Sequence, residues 1–456
     1  MLIIDKEIVR KFDVPGPRYT SYPTAPEWYA MGEDVYRQKL RAFGESDRTL
    51  SLYVHIPFCR SMCYFCACNV IIRPNSEKYG DEYLDYLSQE IDLVAKAIGR
   101  RKPIRQLHWG GGTPTFLTES QIERLFRKVQ SRFEIDLAGE IAIEIDPRTV
   151  DRSKIRKLRA LGFNRVSMGI QDFDAEVQEA VNRHQPFDRV RQVNDWCREE
   201  KFNSVNFDLI YGLPRQTGEH FADTISRVIQ LRPDRIALYS FAYVPWLKKH
   251  QGKFSEKELP GNETKLDIFM AARARLAENG YQAIAMDHFA LADDDLAAAF
   301  AGNTLYRNFM GYTVKPADEY IGLGITAIGF LENTFIQNQK TLRDYFAGLK
   351  AGRLPIERGK ELTRDDQLRQ WVISQLMCHF AADKGKFKKA FGEDFDAYFQ
   401  EERPYILKCA QDGLLSDDAR SLRATDLGKL FIRNVCMGFD RYLRQPREQR
   451  RFSRTV

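Results

Sequence analysis

The sequence predicts an α/β fold: a partial, TIM-like barrel of six β/α units, with an N-terminal arm and a mainly helical, winged-helix-like C-terminal domain. Strand-like apolar runs alternate with helical patterns about every 25 to 50 residues, which is typical of parallel strands joined by crossover helices. Residues with unusual chemistry directly follow these runs, where parallel α/β proteins place their sites. A chain of 456 residues is also too long for one ordinary core. We therefore divide it into an arm segment close to the site (1–48), a barrel domain (49–350) and a C-terminal domain covering the site (355–456).

The arm contains the segment PGPRYTSYPT, residues 15–24. Its three prolines and one glycine are incompatible with a helix or a central strand. We therefore expect an ordered arm without regular secondary structure that lies over other parts of the chain.

The barrel domain is predicted from its strand-like runs and the helical patterns between them. The runs are 50–58, 105–112, 140–147, 165–173, 204–214 and 234–245. Long helical patterns at 77–98 and 120–133 separate the first three runs. The segment 246–254 follows the last run and receives no assignment.

The C-terminal domain is predicted from a change of pattern near residue 355 to helices and one hairpin-like element at 412–434. Thr363 followed by Asp366 predicts a helix N-cap. A short strand pair feeding a helix resembles a winged helix, which can bind DNA. Because no concentrated basic recognition helix is present, a lid or packing role is favoured and no nucleic-acid partner is expected.

Composition and charge narrow the class of protein. No stretch approaches the roughly 20 apolar residues needed to span a bilayer, and charges follow the apolar start at once, so we expect a cytoplasmic protein without a membrane partner. The net charge of +6, from 69 basic and 63 acidic residues, indicates a mixed solvated surface. A solvated tail is favoured over a nucleic-acid contact for the C-terminal arginines. These are Arg444, Arg447, Arg450, Arg451 and Arg454.

The eight cysteines fall into two groups. Four lie between positions 59 and 68, in Cys59-Arg-Ser-Met-Cys63-Tyr-Phe-Cys66-Ala-Cys68. The others are scattered through apolar surroundings, where a free cysteine behaves as a small buried hydrophobe. These are Cys197, Cys378, Cys409 and Cys436.

The spacing of Cys59, Cys63 and Cys66 predicts ligands for a [4Fe-4S] cluster. Three thiolates on one loop can bind three irons of a cubane and leave the fourth iron open for a small molecule. Two disulfides within ten residues would be strained. A zinc site normally takes a second ligand pair after a longer loop, and none follows here. The cluster is therefore favoured over a disulfide pair or a zinc site.

This cysteine motif resembles the radical S-adenosylmethionine (SAM) superfamily, which is defined by C-x3-C-x2-C with an aromatic residue before the last cysteine. The resemblance implies a barrel of the radical SAM type. It also implies that SAM chelates the fourth iron and that one electron from the reduced cluster cleaves SAM to methionine and a 5′-deoxyadenosyl radical. A glycine-rich turn after the second strand, HWGGGTP (108–114), allows close backbone approach to a ligand.

A longer set of motifs resembles the family of oxygen-independent coproporphyrinogen III oxidases. The set comprises the fourth cysteine Cys68, the arm GPRYTSYPTA, and HWGGGTPT, EIDPR, MGIQDF, DLIYGLP, MDHFA, NFMGYT, IRNVCMGFD and RRFSR. The resemblance implies that two propionates of coproporphyrinogen III are oxidatively decarboxylated to vinyl groups, giving protoporphyrinogen IX in haem synthesis. An unactivated C–H bond requires a radical, because a side-chain base cannot remove its proton at a useful rate.

The resemblance also assigns roles to individual residues, which remain expectations. Cys59, Cys63 and Cys66 bind the cluster, and Cys68 is required for activity without being a ligand. Four residues are expected to contact the cluster-bound SAM: Tyr53, Gly111, Glu144 and Ile328. A further seven are expected to hold a second SAM: Phe65, Gly112, Thr113, Gln171, Arg183, Asp208 and Ala242. Tyr53 and Glu144 join Cys68 as candidate catalytic residues, and Arg18 and Tyr22 are placed near the substrate.

The family reading also implies partners. An electron donor such as flavodoxin or ferredoxin is expected to reduce the cluster, and the protein is expected to be a monomer. Two alternatives share the cluster motif: a haem-binding chaperone and a haem-opening radical SAM methyltransferase. The chaperones typically carry Phe where Cys68 stands and lack the arm, so the oxidase is favoured.

Overall fold

A computed structural model of the chain describes residues 6–74, 77–444 and 452–455. Its strands are β1 (Tyr29–Ala30), β2 (Leu50–Ile56), β3 (Phe58–Cys59), β4 (Ile71–Ile72), β5 (Pro103–Gly111), β6 (Glu134–Ile145), β7 (Arg165–Gln171), β8 (Ser204–Tyr211), β9 (Arg235–Ser240), β10 (Tyr281–Ile284), β11 (His288–Leu291), β12 (Tyr306–Asn308), β13 (Gly311–Thr313), β14 (Glu319–Leu323), β15 (Ile328–Leu331), β16 (Thr334–Asn338), β17 (Ile356–Glu361), β18 (Ala381–Asp383), β19 (Leu415–Asp417) and β20 (Ser421–Ala424). Its α-helices are α1 (Lys6–Phe12), α2 (Glu33–Glu45), α3 (Glu77–Ile98), α4 (Glu119–Arg132), α5 (Arg152–Leu161), α6 (Ala175–Ala180), α7 (Phe187–Glu199), α8 (Gly218–Leu231), α9 (Asn262–Glu278), α10 (Asp295–Ala301), α11 (Leu342–Lys350), α12 (Arg364–His379), α13 (Lys384–Phe391), α14 (Phe395–Tyr398), α15 (Arg403–Gln411), α16 (Asp426–Leu430) and α17 (Ile432–Met437).

The largest sheet of the described residues has thirteen strands, in the order β1-β17-β16-β15-β14-β2-β5-β6-β7-β8-β9-β11-β10. From β14 to β9 each strand runs parallel to its neighbour. Strand β2 is buried along nearly its whole length, because helices cover parallel sheets on their faces. The predicted set of six parallel strands, β2 and β5 to β9, is confirmed.

The two edges of this sheet were not predicted. A seventh parallel strand, β14, leads into the antiparallel strands β15 to β17, and β11 and β10 extend the other edge. Glycine lies within β14, β15 and β17, so these short runs resemble loops in the sequence. At Gly322 a Cβ atom would lie 2.5 Å from the Ile328 carbonyl oxygen, so the close approach of β14 and β15 requires glycine.

The helices between the strands follow the predicted patterns closely. Helix α3 spans the predicted residues 77–98, and α4 begins one residue before the predicted start, behind Thr118 in a capping box. Both helices bury one face against the sheet in the larger core. Within the described residues, no helix combines the length and apolar character needed to cross a bilayer.

A second hydrophobic core joins the arm to the C-terminal helices. Val9, Phe12, Tyr19 and Tyr22 pack there with residues of α12 and the elements after it. Helix α12 begins behind Thr363, whose capping box with Asp366 confirms the predicted N-cap. The predicted hairpin is β19 and β20, and β18 adds a third strand to it. The arm itself has no helix or strand across residues 15–24, apart from one β-bridge between Pro15 and Arg454.

The structure describes two arginines of the predicted solvated tail, Arg444 and Arg454, and both side chains are partly exposed and also paired. Arg454 forms an ion pair with Asp13 at 2.5 Å, and Arg444 pairs with Glu401 at 3.0 Å. Arg454 therefore pairs with the start of the chain, whereas Arg444 pairs with the segment between α14 and α15. Arg447, Arg450 and Arg451 lie outside the described residues.

A buried carboxyl group links α3 to the far edge of the sheet. Glu90 accepts hydrogen bonds from Gly324 N at 2.7 Å, Asn338 Nδ2 at 2.6 Å and the Tyr345 hydroxyl at 2.5 Å. Because burial outweighs these bonds, the pKa of Glu90 is raised to about 7.

Replacing this group should destabilise the protein in a pH-dependent way. Glu90→Ala leaves three donors without their acceptor, so the free energy of unfolding should fall by about 3 kcal/mol or more in urea titrations. Between the ordinary pKa of a glutamate and pH 7, Glu90 is protonated in the folded protein and ionised in the unfolded chain. The contribution of Glu90 to the free energy of unfolding therefore declines as pH rises through that window. The deficit should therefore be larger at pH 5 than at pH 8. Glu82→Ala, an exposed change on the same helix, should stay within about 0.5 kcal/mol at both.

Candidate active site

The carboxyl ends of the parallel strands enclose a cavity of about 800 Å³. This lies within the roughly 300–1,000 Å³ range of small-molecule sites. Residues 59–69, which we call the cysteine loop, form one side, and most of the remaining wall comes from the carboxyl-terminal parts of β5 to β9 and the residues after them. The wall includes most of the predicted site residues: Arg18, Cys59, Cys63, Phe65, Cys66, Cys68, Gly111, Gly112, Thr113, Glu144, Gln171, Arg183, Asp208 and Ala242.

The cysteine loop is fixed at several points. Strand β3 pairs with β4, so the chain before and after the loop runs side by side. Asn182 donates to the Met62 carbonyl oxygen at 2.8 Å, and the Tyr64 amide donates to Val181 O at 2.9 Å. The three candidate ligands therefore sit on an anchored loop that faces the cavity.

Two arginines surround the thiol of Cys63. Arg183 Nη1 lies 3.6 Å and Arg148 Nη2 lies 3.9 Å from Cys63 Sγ. Both arginines also form ion pairs with Asp146. Burial opposes the ionisation of Asp146, but the two guanidinium groups lower its pKa to about 2. The sulfur of Cys63 therefore faces two guanidinium groups.

The residues present fit an iron–sulfur cluster. Three thiol groups reach one cavity from a single loop, and guanidinium groups compensate the negative charge of a thiolate-bound cluster. Among the described residues, no three His, Cys, Asp or Glu side chains converge closely enough to share one metal ion. A cubane does not require that convergence, because each cysteine binds a different iron.

The glycine-rich turn at the end of β5 packs against residues 56–58, which lead into the cysteine loop. Gly112 N donates to Ile56 O at 2.8 Å, and Thr113 N donates to Phe58 O at 2.9 Å. A Cβ atom at Gly112 would lie 2.6 Å from Pro57 O, and Gly111 has a φ of 118°. Glycine is therefore needed at both positions to bring this backbone to the cavity.

A connected group of four polar side chains lies beside the turn: Glu144, His108, Tyr53 and His55. Glu144 accepts hydrogen bonds from His108 Nε2 at 3.2 Å and Gly111 N at 3.1 Å. Although burial opposes its ionisation, these bonds lower the pKa of Glu144. The Tyr53 ring stacks on His108, and the Tyr53 hydroxyl donates to His55 Nδ1 at 3.0 Å. Glu144 is thus an oriented carboxylate at the cavity wall.

A second carboxyl group lines the cavity further along the sheet. Asp208 accepts hydrogen bonds from the Ser167 hydroxyl at 2.8 Å and Asn206 Nδ2 at 2.9 Å. Burial, only partly offset by these bonds, raises the pKa of Asp208 to about 6. Its charge therefore changes close to neutral pH.

Gln171 and Arg183 complete this side of the cavity. Gln171 has a φ of 71°, a left-handed conformation that costs a non-glycine residue roughly 1–3 kcal/mol. Arg183 donates to Gly169 O at 2.6 Å, while its buried Nε has no hydrogen-bond partner among the described residues. An unpaired buried donor and a strained wall residue both suit a site that binds a polar ligand.

Three of the predicted site residues do not line the cavity. Tyr53 lies behind Glu144 and His108. Ile328 begins β15 beside Gly322, which pairs with Tyr53. Tyr22 is 1% exposed and packs in the second core, where its hydroxyl accepts from Arg441 N at 3.3 Å.

Sequence reasoning missed the contacts that hold the cysteine loop from outside. Lys248, His250 and Gln251, in the unassigned segment, all bind its backbone carbonyl groups. No local pattern marked them. His55 did carry a signal, since it stands two residues after Tyr53 and shares its face of the strand.

The chain matches known families over most of its length. Residues 53–228 match the Radical SAM superfamily, and residues 362–431 match the HemN C-terminal domain. The oxygen-independent coproporphyrinogen III oxidase of Escherichia coli K12 is 44% identical over 99% of this chain and 98% of its own length. The enzyme of that name from Synechocystis sp. is 45% identical over 99% and 97%. The solved structure described as coproporphyrinogen III oxidase (HemN) from Escherichia coli, a radical SAM enzyme, superimposes with a TM-score of 0.91 at 42% identity, covering 96% of this chain and 99% of that one.

Proposed function

The chain belongs to the family of oxygen-independent coproporphyrinogen III oxidases, and on that premise we propose how its site residues share the reaction. It is a radical SAM oxidoreductase of haem biosynthesis. It converts two propionates of coproporphyrinogen III to vinyl groups with loss of CO2, giving protoporphyrinogen IX. This function is supported by the full-length similarity to oxygen-independent coproporphyrinogen III oxidases, together with three motif cysteines that line one cavity. The same similarity favours the oxidase over a haem-binding chaperone or a methyltransferase.

The cluster and SAM are assigned to particular residues in this proposal. Cys59, Cys63 and Cys66 hold the cluster. When bound, the cluster and SAM supply the 5′-deoxyadenosyl radical that removes a hydrogen atom from the propionate β-carbon. Glu144 accepts hydrogen bonds at the cavity wall and orients the polar part of SAM, and Tyr53 supports it through His108. Gly111 and Ile328 are the further contacts of this SAM.

A second SAM is proposed for the side of the cavity around Asp208. Arg183 offers an unpaired buried donor for a carboxylate, and Asp208 offers an acceptor for hydroxyl or ammonium groups. The other proposed contacts are Phe65, Gly112, Thr113, Gln171 and Ala242, all of which line the same cavity. We further propose that the enzyme acts as a monomer and takes its electrons from a flavodoxin or ferredoxin.

Anaerobic turnover tests the function directly. Coproporphyrinogen III, SAM and dithionite should yield vinyl products. Each propionate needs one hydrogen abstraction, so two SAM should be consumed and two 5′-deoxyadenosine formed per protoporphyrinogen. S-adenosylhomocysteine as the main product would instead indicate a methyltransferase.

Asp208→Asn tests the second SAM site. The change keeps the shape and removes the charge, so the affinity of one SAM should fall about tenfold and the measured occupancy should move from about two per chain toward one. Anaerobic calorimetric titration measures both. Because the pKa of Asp208 is raised to about 6, the carboxylate becomes protonated as pH falls from 7.5 to 5.5, and the wild-type affinity for this SAM should decline. The Asn variant has no carboxylate at this position and should lack this part of the pH dependence. Asp223→Asn, an exposed change on α8, is the matched control.

If the Asp208→Asn variant still bound two SAM per chain with unchanged affinity, Asp208 would not contact SAM and its role would be structural. Loss of iron from the variant would mean that the substitution disturbs the site more widely. The control variant should keep both SAM and the full iron content.

A further inference from the structure

The segment that received no assignment from the sequence, residues 246–254, has two different sides, and we call it the flank segment. Its inner side is tied to the cysteine loop. The Gln251 amide, fully buried, donates to Phe65 O at 3.0 Å and Ala242 O at 3.1 Å. His250 Nε2 donates to Cys66 O at 2.7 Å, and Lys248 Nζ donates to Cys68 O at 3.0 Å. The flank segment is therefore fixed against the outer surface of the loop that carries the ligands.

Its outer side is apolar and basic. Trp246 is 40% and Leu247 is 62% exposed, and they are the one pair of adjacent residues among the exposed large apolar side chains of the described chain. Lys249 and Lys253 are exposed beside them. An exposed apolar pair with charged residues around it is typical of a protein-binding surface.

The charged side chains of the flank segment and of the chain around the cysteine loop are basic. Residues 246–254 contain three lysines and no carboxylate, and residues 59–74 contain Arg60 and Arg73 and no carboxylate. The first acidic residues after the flank segment are Glu256 and Glu258, and Glu258 is paired with Arg215 at 3.0 Å. The surface therefore complements an acidic partner.

We propose that the flank segment is the docking surface for a small acidic electron-carrier protein. The inference rests on the proposed function, because SAM cleavage needs one electron from outside: the reduced carrier loses one electron and the cluster gains it. Electron transfer slows steeply with distance, so the carrier must bind near the cluster. The segment that presents this surface also contacts the backbone of the proposed ligand Cys66, through the hydrogen bond from His250 Nε2 at 2.7 Å.

The size of the surface suits such a partner. Electron-transfer complexes are transient and bury less than about 1,200 Å², so a few residues suffice. Complementary charge speeds their encounter and makes it sensitive to salt. Two apolar side chains provide contact, and the lysines around them provide steering.

The test compares two triple variants, each with one Leu→Ser and two Lys→Glu changes. The flank variant is Leu247→Ser, Lys249→Glu, Lys253→Glu. The matched control is Leu407→Ser, Lys408→Glu, Lys389→Glu, three exposed residues of the C-terminal helices. A bacterial flavodoxin is the probe, and its dissociation constant is measured anaerobically by calorimetry at 20 and 200 mM salt.

We expect the flank variant to bind flavodoxin about tenfold more weakly at low salt, with a smaller salt dependence, and to be reduced more slowly by flavodoxin hydroquinone. The control variant should bind and be reduced as the wild type is. Vinyl formation driven by dithionite should be unchanged in both, since dithionite needs no docking surface.

Equal affinity of wild type and flank variant would overturn the proposal, as would an equal loss in the control. Wild-type binding to vesicles of phosphatidylglycerol without binding to flavodoxin would overturn it in favour of a lipid surface. If the flank variant lost iron, the single change Lys249→Glu would replace it in the test, because the side chain of Lys249 is exposed. This single variant must then weaken flavodoxin binding severalfold. If the wild type formed no vinyl products with dithionite, the proposed function would be contradicted instead. The flavodoxin-binding measurements do not require turnover, so the two failures can be distinguished.

Discussion

Replacing any one of Cys59, Cys63 and Cys66 by alanine should abolish the iron–sulfur signal and all turnover. In the proposed site each thiolate binds a different iron, so loss of one thiolate would leave two irons without protein ligands and we expect the cluster not to persist. All three residues line one cavity on an anchored loop, and no other cysteine of the described residues except Cys68 lines it. Iron content, visible absorption and electron paramagnetic resonance of the anaerobically reconstituted variants measure the loss.

Cys68 provides the discriminating comparison. Cys68→Ala should keep the iron and its spectrum while losing vinyl formation. Cys197→Ala, a change at a buried thiol within α7, should keep both. A Cys68 variant without iron, beside a Cys66 variant that retains it, would show that the ligands are wrongly assigned.

The grouping of Cys59, Cys63 and Cys66 at one cavity could be predicted because the three residues are close together in the sequence. Three thiols within eight positions of one loop need no long-range contact to be brought together. The parallel strands were also predictable, since burial on both faces gives β2 a near-continuous apolar run. Edge strands such as β15, with glycine in a short run, carry a much weaker local pattern.

The remaining contacts depend on how distant segments meet. The flank segment lies 180 positions beyond Cys68, and nothing in its composition indicates that Lys248 binds the carbonyl oxygen of that residue. Tyr22 illustrates the same point within the arm. Both Arg18 and Tyr22 belong to one irregular segment, yet Arg18 reaches the cavity and Tyr22 packs against Tyr442 in the second core. An irregular chain has no fixed period that assigns its side chains to faces.

The arm is held by arginines that bind its backbone. Arg433 donates to Pro17 O at 2.9 Å and Gly16 O at 2.5 Å, and Arg307 donates to Arg18 O at 2.6 Å. This leaves the side chain of Arg18 directed to the cavity, where among the described residues it donates to Ser240 O. Because arginine has five N–H donors, Arg18 retains donors for a ligand.

Arg18→Ala should therefore lower kcat/KM for coproporphyrinogen III by tenfold to about a hundredfold. The substrate carries four carboxylates, and a hydrogen bond to a charged group contributes about 1.5–3 kcal/mol. Arg18→Lys should recover part of the loss, since it restores the charge without the forked geometry. Arg10→Ala, which removes an exposed arginine of α1 paired with Glu263, should leave kcat/KM unchanged.

The variant must also separate a substrate contact from a structural one. If Arg18 binds a propionate, iron content, SAM binding and the free energy of unfolding should match the wild type while KM rises. Loss of iron or of stability in Arg18→Ala, but not in Arg10→Ala, would show that the Ser240 contact holds the arm in place. Normal turnover by Arg18→Ala would remove the residue from the substrate site. If a substrate propionate binds the Arg18 guanidinium, KM of the wild type should also rise with salt, because salt screens this charge pair. In Arg18→Ala the guanidinium is absent, so KM should depend much less on salt.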